Sequence, residues 1–431
     1  MNTSDQALKL YEEGLAPPDF DTGTIWPRRD HGELGSDLWT GADDWGTDDK
    51  FYIEAHKFFN AVDWQALALI ATDCRDGIQC SWVGTDKFSM GQTYMVRRLD
   101  FVDGVRWVAR LRLPQEATFC SIETEYSRGA FEIEVASMKF FKSKSTIPVP
   151  ELFAYDRDPS NRVGAAYMLM EYIHGTSAYD LRIANSEPSL FGTPEQDERF
   201  RQQMAKIQAQ VLAFRFPKIG SLYYDEDTEN FFIGPDMVTG KGPWESSADY
   251  YRDFTNSLLK DMAARYPGDA EKTSPFYYPV LLNHLMGIYG KNSKGPYSLV
   301  NRDFGSHNVL VDNDFNIISV IDFDGVFAAP PEVGAQYPVF TGMHVDLFKA
   351  EKSPFTLERI EQTKPKLIKY RELMMKYEAE YTDGNAAVSD LLGSRAAFIY
   401  QCIDDCSKSV GTKDEKLRAS AIEMLREYAE A

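Results

Sequence analysis

An Asp, an Asn and a second Asp follow one another at defined spacing in the stretch NRDFGSHNVLVDNDFNIISVIDFDG, residues 301–325. Four residues separate Asp303 from Asn308, and Asp322 ends the apolar run that comes next. Mg²⁺ is a hard cation that binds carboxylate and amide oxygens. Phosphoryl transfer uses such a metal site together with a carboxylate that orients the attacking hydroxyl, in this order and spacing. The three residues therefore favour a phosphotransfer site.

The residues between Asn308 and Asp322 predict a β-hairpin that would bring these side chains together. The β-prone runs 308–311 and 316–321 flank the turn-forming residues DNDF. The outer ends of such a hairpin lie side by side, with Asp303 on the loop that enters it. Asp and Asn are also ordinary turn residues, and Asp-x₄-Asn alone arises by chance about once in a chain of this length. The inference rests on the spacing and the hairpin together.

The stretch DFGSHNVLVDNDFNIISVIDFDG resembles the catalytic loop and metal-binding segment of the aminoglycoside phosphotransferase family, in the branch that is expanded in fungi. That family is related to choline kinase and fructosamine kinase. The resemblance implies a two-lobed, protein-kinase-like α+β fold with a strand-rich N-lobe and a mainly helical C-lobe. It also implies that Asp303 is the catalytic base and that Asn308 and Asp322 hold Mg²⁺.

Two upstream segments resemble the parts of that fold that bind the phosphates of ATP or GTP. VDGVRWVARLRLP resembles the strand with the phosphate-binding basic residue, which would be Arg110 or, as an alternative, Arg112. FEIEVASMKFF resembles the helix with the ion-pairing Glu, which would be Glu134 in preference to Glu132. Solvated surface charges are the plainer interpretation of Arg110 and Glu134.

Two further segments resemble the adenine site and the phosphate cover. MLMEYIHG resembles the hinge between the lobes, where the backbone of Met170, Glu171 and Tyr172 would hydrogen-bond the base. FSMGQTY resembles the phosphate-covering loop but contains one glycine, Gly91, where the family pattern is glycine-rich. Asn301 stands where the family has a loop-buttressing His, and its amide can hydrogen-bond in the same place.

The chain after Asp322 separates it from protein kinases. The ten residues FDGVFAAPPE between Asp322 and Val333 contain no Ser, Thr or Tyr and leave no room for a phosphorylated, peptide-docking loop. A small-molecule acceptor is therefore expected. Aromatic and acidic residues at 244–251 suit a cationic acceptor such as an amine or aminoglycoside, although the favoured interpretation is that the tyrosines are core and the acids face solvent. The candidate acceptor residues are Trp244, Glu245, Asp249 and Asp324, the last of which could instead brace the metal loop.

Composition and charge limit the partners. The 46 Lys and Arg against 66 Asp and Glu give a net charge of −20, which would repel nucleic acid. The first residues do not resemble a signal peptide, and we find no apolar run of the ~20 residues that span a bilayer, so a cytoplasmic protein with no membrane contact is expected. Five cysteines without a suitably spaced His favour ordinary thiols over a zinc site.

The chain divides into three predicted regions. Residues 1–50 form an irregular extension, 51–173 a nucleotide-binding N-lobe, and 174–431 a helical C-lobe with the catalytic loop and acceptor site. Asp103-Gly104 predicts a hairpin in the N-lobe, while capping sequences at Thr193 and Thr412 predict helices in the C-lobe. The prediction is a small-molecule kinase. The alternative is a pseudokinase that binds nucleotide or a partner without catalysis, which the sparse glycine loop would suit.

Overall fold

The protein folds into two lobes, each built around a β-sheet, in a computed structural model. The residues that the structure describes are 39, 41, 46–81, 88–91, 93–114, 126–184, 190–265, 280, 283–288, 294–343, 354–382, 384 and 387–408. The predicted helix after Thr412 and most of the predicted extension lie outside these residues. The strand-rich first lobe and mainly helical second lobe confirm the predicted α+β fold.

The first lobe contains an antiparallel sheet in the order β1-β3-β4-β6-β5, with β2 paired to β3. The predicted hairpin is present, since β3 and β4 pair along their length and Gly104 in the turn has φ +86°. Its strands are β1 (Cys80–Ser81), β2 (Ser89–Met90), β3 (Tyr94–Phe101), β4 (Arg106–Arg112), β5 (Leu152–Asp156) and β6 (Tyr167–Glu171).

Helices cover both faces of this sheet. The predicted helix α3 (Tyr126–Lys144) buries its apolar residues in the same core as Val108. On the other face, α1 (Lys50–Ala61) and α2 (Trp64–Asp73) share a second core with Ala109, the next residue of β4. The sequence analysis did not predict α1 and α2, and this division into two cores follows from the alternation of side chains along a strand.

The second lobe contains the predicted hairpin and a sheet that the sequence analysis missed. The hairpin strands β12 (Val309–Val311) and β13 (Ile317–Val320) pair with each other, and β12 also pairs with β7 (Thr176–Ser177). A five-stranded antiparallel sheet lies in the order β10-β9-β14-β11-β8. Its strands are β8 (Arg215–Phe216), β9 (Gly220–Asp225), β10 (Asn230–Ile233), β11 (Tyr297–Asn301) and β14 (Val326–Ala329).

Helices form the rest of the second lobe as far as it is described. The predicted capping box is present at the start of α5, where Thr193 accepts a hydrogen bond from the Gln196 backbone. None of the described helices is long and apolar enough to cross a membrane. The helices are α4 (Ala178–Ala184), α5 (Pro194–Ala213), α6 (Ser247–Arg265), α7 (Pro331–Gly334), α8 (Pro354–Tyr381) and α9 (Arg395–Lys408).

The two lobes contact each other beside α3 as well as through the chain that joins them. Lys139 on α3 donates to the Tyr155 hydroxyl at 2.8 Å, and that hydroxyl donates to Glu226 at 2.5 Å. The Lys139 ammonium also lies 4.3 Å from the ring centre of Tyr224 on β9. This contact, which we call the lateral brace, fixes α3 against the second lobe.

Candidate active site

The loop after β11 brings Asp303 and Asn308 together. The Asn308 amide nitrogen donates to the Asp303 carbonyl and to its Oδ2, both at 3.0 Å. Asn308 is buried at the end of a single 3₁₀ turn, whereas the Asp303 side chain is 48 % exposed. Because the amide nitrogen is used twice, the Asn308 Oδ1 is the atom left to face a cation.

The hairpin brings Asp322 to the same place. The Ile321 N–H donates to the Asn308 carbonyl at 2.9 Å, which closes the outer end of the hairpin. Asp322 follows directly in the left-handed region with φ +64°, and its side chain is 34 % exposed. Few residues other than Gly, Asn and Asp adopt this conformation, so the backbone and the carboxylate both favour Asp here.

Asn301 joins the two loops. Its Oδ1 accepts a hydrogen bond from the Asp303 N–H at 3.1 Å, and its Nδ2 donates to the Asp322 carbonyl at 3.2 Å. Gly325 lies close by, and a Cβ there would come within 3.0 Å of the Asn301 Oδ1. One amide thus fixes the positions of both acidic loops, as a buttressing side chain must.

Arg110 lies between a buried acid and the hairpin. Its guanidinium pairs with Glu134 on α3 and lies 3.6 Å from the Asp322 carboxylate. Glu134 is fully buried, which rules out a solvated surface charge. Arg112 instead donates to the Tyr94 hydroxyl at 3.4 Å, and Glu132 lies 3.8 Å from Arg157. Of these four residues, Arg110 and Glu134 form the buried ion pair.

Burial disfavours the charges of both members of this pair, so it shifts their pKa values in opposite directions. Burial raises the pKa of Glu134, and the charge of Arg110 opposes that rise. For Arg110, burial lowers the pKa, but Glu134 and Asp322 together raise it above its ordinary value. Arg110 therefore stays cationic next to the two acidic loops.

Asp324 interacts with the carboxylates of the same site. Burial, and after it the charges of Asp322, Glu134 and Asp303, raise its pKa well above the usual range. A divalent cation bound to carboxylate and amide oxygens here would reduce that repulsion, so the donor set of Asn308 and Asp322 fits Mg²⁺. Among the described residues, no three His, Cys, Asp or Glu side chains are arranged to hold a metal. Mg²⁺ usually takes one or two protein carboxylates and fills its other positions with phosphate and water.

The residues predicted to bind adenine and to cover the phosphates lie at strand ends and in connecting loops. Met170 and Glu171 end β6, and the Glu171 N–H donates to the Glu151 carbonyl at 2.8 Å, so this N–H is already used within the sheet. Tyr172 follows directly in the chain between the lobes. Gly91 lies between β2 and β3, where its N–H donates to the Tyr94 carbonyl at 2.9 Å.

The predicted acceptor residues near 244–251 do not form an open aromatic site. Trp244 is 6 % exposed, and its indole donates to Asp253 at 2.9 Å. Asp249 pairs with Arg252 at 2.7 Å, and Glu245 lies 3.7 Å from Lys218. The aromatic residues of this segment are core, since Tyr250 and Tyr251 pack there with Trp244. The aromatic residues thus follow the core alternative, and an acceptor role for Glu245 and Asp249 stays a prediction.

Two residues of the catalytic loop were not assigned a role from sequence. The His307 Nε2 lies 3.1 Å from the Asp303 Oδ2, at the i+4 position that the sequence displays. Arg302 pairs with the buried Asp236 at 2.6 Å and lies 3.5 Å from the ring centre of Phe327. Nothing in the local sequence indicates the second contact, because Asp236 is 66 residues away.

Arg302→Met should destabilise the fold by about 3 kcal/mol, because it leaves the carboxylate of Asp236 buried without its cation. Thr239 still donates twice to Asp236, which limits the loss to the lower end of the usual range. Urea unfolding measures the effect, and Arg302→Met combined with Asp236→Asn should recover part of it. An unchanged midpoint for the single variant would contradict the assigned burial of this pair.

Known proteins match this chain over different lengths. A model of the phosphotransferase enzyme family matches residues 87–333. Altered inheritance of mitochondria protein 9, mitochondrial, of Candida albicans is 27 % identical over 186 residues, 40 % of this chain and 29 % of that protein. A subtelomeric hrmA-associated cluster protein of Aspergillus fumigatus is 37 % identical over 111 residues, 24 % of this chain and 20 % of that protein. The matches thus span less than a third of these relatives.

A solved structure gives a weaker likeness. The structure of a putative aminoglycoside phosphotransferase from Ralstonia eutropha aligns with a TM-score of 0.49 at 15 % identity, and covers 84 % of this chain and 99 % of the other.

The comparison with curated proteins corrects one prediction. Relatives from three Candida species have names that place them in mitochondria. The predicted cytoplasmic location is therefore wrong by this finding.

Proposed function

This chain belongs to the phosphotransferase enzyme family, and from that premise we propose that it is a Mg²⁺-dependent kinase that phosphorylates a hydroxyl of a small molecule. The phosphate donor is ATP or GTP. The convergence of Asp303, Asn308 and Asp322, linked through the amide of Asn301, is the observation that carries the proposal. Mg²⁺ bound at Asn308 and Asp322 would neutralise phosphate charge.

Asp303 acts as the base in this proposal. The acceptor oxygen forms a bond to the γ-phosphorus as the bond from that phosphorus to the β–γ bridging oxygen breaks, and the nucleoside diphosphate leaves. The acceptor proton passes to the Asp303 carboxylate. Asn308 and His307 both contact Oδ2 of Asp303, so the carboxylate is held in one rotation before the acceptor arrives.

Arg110 supplies fixed positive charge near the phosphates. It is 12 % exposed and oriented by Glu134, so little reorganisation is needed when a phosphate arrives. Its planar guanidinium group can bind two phosphate oxygens at once and keeps its charge when buried. These properties suit the role of the lysine in related kinases.

The chain after Asp322 supports a small-molecule acceptor. Residues Val326–Ala329 form a buried strand of the five-stranded sheet, and Pro331–Gly334 form a short helix whose Glu332 is fully buried. Because this segment is buried in the core, it does not form a surface to which a peptide could bind.

We also propose a mitochondrial location, on the names of the Candida relatives alone. Fractionation of cells that express the full-length chain should place it with a mitochondrial matrix or membrane marker. Recovery with a cytosolic marker instead would refute this part of the proposal.

The metal–nucleotide site is tested by Asp322→Asn. Asn tolerates the φ of +64° at this position, so the fold should survive while one negative charge is removed. With wild type, Mg²⁺ and ATP or GTP at 100 times Kd should stabilise the protein by about 2.7 kcal/mol, and the thermal midpoint should rise. In the variant, apparent nucleotide affinity should fall by about tenfold or more, equivalent to ~1.4 kcal/mol.

Asp314→Asn is the matched control, since Asp314 lies on the exposed turn of the same hairpin and binds Gln196. It should respond to Mg²⁺ and nucleotide as wild type does. Stabilisation without any transfer to hydroxyl compounds would favour the pseudokinase alternative. No stabilisation of wild type by either nucleotide would refute the kinase proposal.

A further inference from the structure

Three aromatic rings lie next to the proposed base. The His307 ring, which contacts Asp303 through Nε2, meets the ring of Phe340 edge to face at 4.9 Å between ring centres. The Phe340 ring in turn lies 5.1 Å from that of Tyr179. We call Phe340 and Tyr179 the aromatic pair. A continuous aromatic surface therefore leads from the carboxylate of Asp303 to helix α4.

The backbone of Phe340 has a conformation that is unfavourable for phenylalanine. Its φ is +55°, a conformation in which a bulky residue is a rare outlier, and 46 % of its surface is exposed. The Ser306 hydroxyl donates to its carbonyl at 2.7 Å, and the Ser306 N–H donates to the Val339 carbonyl at 3.1 Å. Backbone strain of this kind concentrates at functional sites, where the surrounding structure maintains it.

Packing alone does not account for this arrangement. A side chain that is half exposed contributes little core, and Asn or Gly would fit the backbone better. The catalytic loop nevertheless fixes this residue through Ser306, directly beside the residues that contact Asp303. The exposed part of the ring is therefore available for contact with a bound molecule.

We propose, on the basis of the kinase function above, that the aromatic pair is an acceptor subsite and that the acceptor presents an apolar ring face to it. A hydroxyl on such a ring would then point toward Asp303. Flat rings and the CH faces of sugars stack on aromatic side chains, which give orientation as well as affinity. The acceptor class is thus a hydroxylated, ring-bearing molecule without concentrated positive charge.

At the Tyr179 end of the aromatic pair, a guanidinium group opposes the binding of a cation. The Arg182 guanidinium lies 5.5 Å from the ring centre of Tyr179, so a cationic group stacked there would meet a like charge. Two of the acidic residues first considered for a cationic acceptor, Asp249 and Glu245, pair with Arg252 and Lys218 elsewhere in the lobe. Both observations favour a neutral acceptor over an aminoglycoside.

Saturation-transfer NMR on the full chain with Mg²⁺ and a non-hydrolysable ATP analogue tests the subsite. The probes are phenyl β-D-glucopyranoside, which is neutral and has two ring faces, and kanamycin, which is a polycation. Wild type should transfer saturation to the ring protons of the glucoside and not to kanamycin. Phe340→Leu should raise the Kd of the glucoside by about tenfold, and Phe340→Tyr should restore it.

Phe232→Leu is the matched control, because Phe232 is also half exposed, at 47 %, and stacks on Tyr223. It should leave glucoside binding unchanged. The proposal is overturned if wild type binds neither probe at millimolar concentration, if kanamycin alone binds, or if Phe340→Leu has no effect. Stabilisation by Mg²⁺ and nucleotide, measured on the same samples, shows separately whether the kinase proposal stands.

Discussion

Asp303→Asn should lower the rate of phosphate transfer by about 10²–10⁴-fold, the usual contribution of a positioned general base. The substitution keeps the size of the side chain, and its amide can still meet Asn308 and His307, so the loop should keep its shape. What is lost is the carboxylate that accepts the proton of the acceptor hydroxyl. Affinity for Mg²⁺ and nucleotide should stay close to that of wild type.

Two measurements on the same protein separate these effects. Steady-state transfer from ATP to a hydroxyl acceptor gives the rate, and the thermal shift with Mg²⁺ and nucleotide gives binding. Asp312→Asn is a suitable control, since Asp312 only organises the hairpin turn by accepting from Asp314 and Asn316. A variant at Asp303 that retains more than a tenth of the wild-type rate would remove this residue from the role of base.

Arg110→Met should destabilise the protein by about 3–5 kcal/mol and abolish tight nucleotide binding. Glu134 is fully buried, and without Arg110 its charge has lost its paired cation. The cost of an uncompensated buried charge exceeds the value of the pair itself, because both partners were already removed from water. Urea unfolding gives the first effect, and nucleotide titration gives the second.

The double variant Arg110→Met with Glu134→Met distinguishes stability from function. Two apolar side chains of similar length should restore much of the lost stability, while nucleotide binding should stay lost. Arg112→Met serves as the control two residues along the same strand, where the guanidinium donates to the Tyr94 hydroxyl at 3.4 Å. If the double variant binds nucleotide normally, Arg110 does not contact the phosphates.

The convergence of Asp303, Asn308 and Asp322 could be predicted because the sequence signals for it are local. One continuous stretch of chain contains Asp303, Asn308 and Asp322 at defined spacing, together with the two β-prone runs of the hairpin. The helix with Glu134 was predicted from its apolar period. Which Arg meets which Glu required the structure, since Arg110 and Arg112 point to the same side of one strand and only the position of α3 selects between them.

Elements that depend on distant partners could not be predicted in the same way. Helices α1 and α2 are short, although Asp49 and Asp63 at their N-termini are recognisable caps. The five-stranded sheet pairs residues that are far apart in the chain, such as Phe216 with Tyr297 and Gly220 with Ala328, the latter 108 residues apart. The sequence around Trp244 would look the same whether its side chain lay in the core or lined a binding site. Only the burial of the side chain in the structure decides between the two.

The lateral brace has a mechanical consequence. The contact of Lys139, Tyr155 and Glu226 lies at the edge of an interface in which Phe140 and Phe141 of α3 already pack against Phe214 and Phe323 of the second lobe. Because α3 is held by aromatic packing and by this polar contact together, we expect it to move as one body with the second lobe. Glu134 on α3 should therefore keep a constant distance from Asp322 when the cleft opens and closes, so that each closure returns Arg110 to the same place between them.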